Sequence, residues 1–325
     1  DIDKIISEGI AISRDYMLSK METGLTYGSE WMLITLLRAD KDVDKALLDQ
    51  YYDSVLEEIK TWDGSEKPTD IERVALALSA MGKDITDVEG INLAEMIYNS
   101  DKLTYGSNEL AWALLALDAT GIEIPADAKW TRDKMIAEML KFQNEDGFFG
   151  LGDNKSASLD MTAMCLQALA PYRGNQIVDE AIAKGLNYLR TNISDNYDYG
   201  DSNATAQVLL TLAVLGVDVT DSTNGFGTAY DNIISRLDDF CTSDGFSYTL
   251  GGKTNMIATY QIMQSFDAYR KAMDEGISYW DFTEKSDEEY DDKIEVDNNN
   301  NNNNNNNDSG KGSPTESAPM PGDEN

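Results

Sequence analysis

Whatever chemistry this chain performs must use carboxylates, amides, hydroxyls and aromatic rings, because its 325 residues include no histidine. Acids outnumber bases 59 to 26. Five aspartates, Asp146, Asp160, Asp198, Asp201 and Asp244, stand in loops that lead into apolar stretches, where a cleft would form. Hydrolysis of a glycosidic bond needs two carboxylates roughly 5–10 Å apart across such a cleft, one of them protonated. Asp160 and Asp201 are the candidates for that pair. A solvated or helix-capping aspartate is the ordinary alternative at each position.

Aromatic residues recur in the same loops. Tyr27-Gly28, Trp62-Asp63-Gly64, Tyr105-Gly106, Phe148-Phe149-Gly150, Tyr199-Gly200 and Phe246 with Tyr248 each precede an apolar stretch. Tyr27, Trp62, Tyr105, Phe148, Phe149, Tyr199 and Tyr248 are therefore the candidate ligand-binding residues, able to stack sugar rings or line an apolar pocket. Packing between neighbouring helices is the structural alternative, and it is the default for Trp31 and Trp112. Asp195, Asp198 and Asp201, with Asn196 and Asn203, gather oxygen ligands that suit calcium in one loop, but at no EF-hand spacing. A solvated acidic loop is the simpler reading, and no metal or cofactor is expected.

The composition excludes several classes. Without imidazole there is no Ser-His-Asp or Cys-His nucleophile, and two cysteines cannot build a Cys₄ zinc site. A formal charge of −33 repels phosphate backbones, so nucleic acid is not an expected partner. No apolar run approaches the roughly 20 residues that span a bilayer. Cys165 and Cys241 are expected to be unpaired thiols. The first residue is Asp1 rather than Met, which agrees with removal of a leader or with a cloned fragment.

The elements that must position these residues form a repeat. Six apolar helical copies align: Glu30 to Leu37, Ile71 to Leu78, Leu110 to Leu117, Thr162 to Leu169, Thr205 to Leu212 and Thr259 to Phe266. Their last positions lie 41, 39, 52, 43 and 54 residues apart, long enough for two helices and two loops. Amphipathic segments lie between them, at 46–60, 91–98, 128–142, 177–189 and 230–240, with 2–21 ahead of the first copy. A helix apolar all round is buried on both sides, and an amphipathic one keeps a face in water. The pattern predicts six inner and six outer helices. Gly82, Gly121 and Gly216 follow inner copies as caps, while Pro68, Ser107, Ser202 and Thr254 precede them as start signals. Only Phe246 to Leu250 reads as a strand. Closure into a ring is favoured over an open solenoid, whose last inner helix would be exposed.

These repeats resemble the α/α-toroid superfamily, which includes terpenoid cyclases, protein prenyltransferase β subunits and cobalamin carriers. Gln143-Asn144-Glu145-Asp146-Gly147-Phe148-Phe149-Gly150 resembles the Gln-Trp repeat of squalene-type cyclases, with Phe149 where Trp is usual. The stretches 200–207 and 255–261 resemble bacterial extracellular members of the fold. The likeness covers residues 1–283 and implies an all-α (α/α)₆ toroid. It does not bring the family chemistries with it. There is no DxDD (Ser158-Leu159-Asp160-Met161 lies nearest), no His for a prenyltransferase zinc, and no Gly-Cys-Gly-Glu-Gln thioester loop.

Residues 284–325 change character: an acidic stretch, ten asparagines at 298–307, then a Ser-, Gly- and Pro-rich end. Such a segment has too little apolar surface to offset ordering and is expected to be a disordered spacer. Its end, Ala318-Pro319-Met320-Pro321-Gly322, loosely resembles a Gram-positive wall-sorting signal. Taken together, the sequence leads to a non-catalytic, extracellular binding module of a Gram-positive surface protein, a monomer with glycan or another surface protein as ligand. A carbohydrate-active enzyme and a structural stalk domain are the alternatives.

Overall fold

The computed structural model describes residues 1–21, 24–39 and 43–283; the acidic, Asn-rich segment and its expected role as a spacer lie outside these residues. The six apolar copies are six helices: α2 (Glu30–Ala39), α4 (Pro68–Ala80), α6 (Ser107–Asp118), α8 (Leu159–Leu169), α10 (Ser202–Val214) and α12 (Met256–Arg270). The amphipathic segments supply α1 (Ile2–Lys20), α3 (Lys45–Ile59), α5 (Leu93–Tyr98), α7 (Arg132–Leu140), α9 (Gln176–Asn192) and α11 (Ile233–Asp238). Each inner helix packs on the next, and α12 packs on α2, which closes the ring. The seam carries a buried hydrogen bond of 2.9 Å from Gln264 Nε2 to Thr35 Oγ1. Helix α1 packs chiefly on α12 and α11, so the first helix of the chain completes the last pair.

Local chemistry explains the boundaries. Asp44, Asn92, Thr131, Ser158, Asn175, Asp201, Asn232 and Asn255 cap helices by accepting a backbone N–H of the first turn. Gly82, Gly121 and Gly216 adopt φ of +77°, +68° and +71°, the left-handed turn that glycine enters without a Cβ clash. The inner helices are alanine-rich and buried: Ala75, Ala77, Ala111, Ala113 and Ala116 are fully inaccessible. Gly185 lets α9 press on α8, because a Cβ there would stand 2.6 Å from Leu166 Cδ2. Cys165 is buried and Cys241 exposed, and both are free thiols. The expected strand at Phe246 to Leu250 is instead a loop with isolated bridges from Phe246 to Cys241 and from Ser247 to Thr254. Among the described residues no helix is long and apolar enough to cross a membrane.

The two ends of the ring differ. At the end where inner helices begin, called here the entry face, the preceding loops are stitched to the helices. Thr162 Oγ1 accepts the Phe149 N–H at 2.9 Å, and Thr205 and Thr259 do the same for Tyr199 and Phe246 at 3.0 Å each. Ser107 Oγ donates to the Gly150 carbonyl and Ser202 Oγ to that of Ser247, tying each helix start to the loop two helices ahead. At the opposite end a strap, residues 276–283, crosses the ring. Its Trp280 enters the ring, meeting Trp112 at 5.7 Å and Trp31 at 6.4 Å between centroids, and donates to Gln167 Oε1 at 2.9 Å. Phe282 N–H donates to the Ala119 carbonyl, and the Arg38 guanidinium lies over the Tyr279 and Phe282 rings. The strap closes that end and leaves a cavity of about 350 Å³ between itself and the ends of α6, α8 and α10.

Candidate functional site

The contacts of the ring mark which stripe of each inner helix faces its centre. Gln167 of α8 reaches Trp280, Gln207 and Thr211; Gln264 of α12 reaches Thr35 of α2; Trp31 and Trp112 meet at 4.8 Å. A side chain one or two turns nearer the helix start lies on the same stripe, since residues i, i+4 and i+7 share a face. Asp160 is therefore two turns above Gln167, Asn203 one turn above Gln207, and Asn108 one turn above Trp112. On α4, Arg73 turns toward α2, where Nε donates to Glu30 Oε1 at 3.0 Å and Nη1 pairs with Asp70 at 3.1 Å. Glu72, about 100° round the helix from Arg73, then falls on the central stripe with Leu76 and Ser79. In the repeat alignment Glu72 occupies the level of Trp31 and Tyr260.

The half of the ring nearer the entry face is thus walled by two acids, several amides and two indoles. Glu72 is completely buried and Asp160 half-buried. The indole N–H groups of Trp31 and Trp112, Gln261 Oε1 and Asn203 Oδ1 are buried without a protein partner among the described residues. Unpaired buried polar groups are uncommon and each is costly. Here four lie on the inner helices α2, α6, α10 and α12.

The sequence candidates fare unequally. Asp160 stands at the entry face as described. Asp201 is the N-cap of α10: Oδ1 accepts the Ala204 N–H at 2.8 Å, and Oδ2 accepts the Tyr248 hydroxyl at 3.2 Å. Asp160 and Asp201 begin neighbouring helices, but Asp201 serves capping and the rim. Tyr105, 71% exposed, and Tyr248, 41% exposed, are the open rim aromatics. Phe148 and Phe149 are buried, Phe148 edge-on to Tyr188 and Phe149 fully inaccessible, so they are packing residues and not a ligand surface. Tyr199 donates to the Leu189 carbonyl at 2.7 Å, and burial raises its pKa. Trp62 is half-buried against the core. Tyr27 packs beside Arg73, with its pKa pushed up to about 12 by burial and then by Asp70.

The acidic loop of Asp195, Asp198 and Asp201 is held by its own protein partners. Asp198 Oδ2 is held by Arg236 Nε at 2.6 Å and its Oδ1 by Ser194, while Asp201 is committed to its cap. No group of three potential ligands gathers among the described residues. Sequence reasoning missed Glu72 because it hides in the apolar copy Ile71 to Leu78. The available signal was a lone carboxylate at a level where other copies carry Trp, Ala or Tyr.

No protein-family model matches the chain, and a search of curated proteins gives no match. A solved structure does match. It is an Asp→Asn variant of an unsaturated glucuronyl hydrolase with dGlcA-Glc-Rha-Glc, 11% identical, with a TM-score of 0.57 over 88% of this chain and 100% of that one. The chain is an α/α toroid. The toroid likeness is one of fold and does not extend to the terpenoid-cyclase branch. The expectation of a non-catalytic binding module is corrected on this finding, since the toroid that matches is an unsaturated glucuronyl hydrolase.

Proposed function

We propose that this toroid is a glycoside hydrolase that takes an oligosaccharide into the entry-face half of its ring, with Glu72 and Asp160 as its carboxylates. One observation carries the reading: two acids and four unpartnered buried polar groups are spread over the six inner helices of a ring that a purely structural design would fill with hydrocarbon. Ring hydroxyls of a sugar supply both donors and acceptors for such groups, and indoles suit its apolar faces.

The placement also suits the reaction. Helices α4 and α8 flank α6, so their axes lie roughly 14–17 Å apart if neighbours pack at 8–10 Å. Carboxylates reaching inward from both leave roughly 6–10 Å, a gap that admits the sugar and a water. Glu72, out of water, is the proton donor to the glycosidic oxygen as the bond from that oxygen to the anomeric carbon breaks. Asp160 accepts a proton from the water whose oxygen bonds to the anomeric carbon. Both products leave neutral, and the pair resets by returning the proton. Location outside a Gram-positive cell is kept as part of the proposal, supported by the likeness of residues 318–322 to a wall-sorting signal.

The test is release of new reducing ends from a panel of oligosaccharides by the full chain. Glu72→Gln and Asp160→Asn are each expected to slow cleavage by roughly 10²–10⁴-fold with the fold intact by circular dichroism. Full turnover in either variant removes that residue from the mechanism. No cleavage and no binding across the panel ends the enzymatic reading.

A further inference from the structure

Resting on that reading, we infer that Tyr105 and Tyr248 are two sugar-stacking subsites on the rim of the entry face, one on each side of Asp160, and that the toroid grips a chain longer than a disaccharide. Tyr105 stands two residues before α6 begins. The Tyr248 carbonyl accepts the N–H of Ser202, the first residue of α10, at 3.1 Å. Helices α6 and α10 both pack on α8, which carries Asp160 in its first turn. The two rings therefore stand over the neighbours of the Asp160 helix, at the same end of the ring.

Both tyrosines are exposed, whereas Phe148, Phe149 and Phe246 in equivalent loops are buried. A ring kept for packing alone would be covered as those are. Tyr248 is also anchored, since its hydroxyl donates to Asp201 Oδ2 at 3.2 Å, so less freedom is lost when a sugar settles on it. One residue past Ser202, Asn203 adds an amide oxygen that is buried without a protein partner among the described residues. A flat ring near an unmet acceptor suits a pyranose, whose apolar face stacks and whose hydroxyls donate. Ile177 and Tyr230, the exposed apolar side chains of other loops, stand at the starts of outer helices α9 and α11 instead. The axes of α6 and α10 lie roughly 14–17 Å apart if neighbours pack at 8–10 Å. A disaccharide does not bridge that span, and a tetrasaccharide does.

The experiment titrates the full chain by calorimetry with the β-1,4-linked bioses and tetraoses of glucose, xylose and N-acetylglucosamine. A tetraose is expected to bind roughly tenfold tighter than its biose. Tyr105→Ala and Tyr248→Ala should each weaken the tetraose by roughly 3–10-fold and leave the biose and the far-UV circular dichroism unchanged, while Tyr105→Phe keeps the wild-type affinity. Wild-type tetraose affinity in both alanine variants, or equal losses for biose and tetraose, overturns the inference and leaves the hydrolase reading standing. A tetraose that shows the tyrosine losses but yields no new reducing ends supports the subsites and ends the hydrolase reading alone. Failure of every tetraose to bind at millimolar concentration counts against both.

Discussion

Replacing Trp280 by alanine tests whether the strap holds the ring or merely lies on it. The indole is 5% exposed and sits against Trp31, Trp112, Tyr279 and Phe282, with centroid distances from 5.0 to 6.4 Å. Truncating a buried aromatic to alanine costs about 3–5 kcal/mol, the spread reflecting how far the site collapses. Here collapse is opposed by six helices that already touch, so the upper half of that range applies. Loss of the indole donor leaves Gln167 Oε1, 1% exposed as a residue, without its 2.9 Å partner and adds about 1 kcal/mol. The expected loss is therefore about 5–6 kcal/mol, which lowers the midpoint of thermal unfolding by roughly 10–20 °C. Guanidinium unfolding followed by tryptophan fluorescence and by far-UV circular dichroism reads it, with Phe282→Ala as a milder companion. A loss below about 2 kcal/mol, with the two probes coincident, would refute the view that Trp280 is a keystone of the ring.

Thr162→Val, which keeps the shape, removes the acceptor for the buried Phe149 N–H and should cost about 1–3 kcal/mol in the same unfolding assay, with no change in the oligomeric state. At Asp198, burial alone would raise the carboxyl, but hydrogen bonds from Arg236 and Ser194 and from the Gly200 N–H outweigh it and hold the pKa below the ordinary value. That stability is present above about pH 3.9, the unfolded value, and is lost as pH falls through the lower folded value. Arg236→Leu should therefore flatten the acid limb of the stability–pH curve, measured by urea unfolding between about pH 2 and 5. For Tyr27, folded near 12 against an unfolded 10.0, the neutral form is favoured in the fold. Stability from it is complete below pH 10 and lost as pH rises through about 12. Tyr27→Phe should soften the alkaline limb, read by circular dichroism against pH.

The helices were legible because their signals are local. Each apolar copy from Glu30 to Phe266 lies on an inner helix, and the glycines at 82, 121 and 216 end theirs with positive φ as their position after each copy implied. Closure was inferred from burial alone and rests on α12 meeting α2. What sequence could not separate is an aromatic that packs from one that waits for a ligand. Phe149 and Tyr105 occupy equivalent loops, yet one is inaccessible and the other open. The difference arises from which side of the loop the neighbouring pair covers, a contact between residues far apart in the chain. Likewise the acids with functional spacing in the loops became caps and ion pairs, as Asp198 and Asp201 show. The carboxylate inside the ring stands in a helix whose periodicity reads as hydrocarbon. The strap was invisible because eight residues with three aromatics carry no period at all.

Helix α1 completes the pair begun by α12, and this sets a timetable for synthesis. The Thr35–Gln264 contact spans 229 residues, so at roughly 5–20 residues per second the first helices wait roughly 10–50 s on the ribosome for their partner. During that interval the apolar flank of α2 has nothing to cover it, and the chain depends on its strong negative charge to keep nascent copies apart. A ribosome stalled before α12 therefore releases an open arc with two adhesive edges rather than a smaller ring, a species for chaperones and proteases to clear.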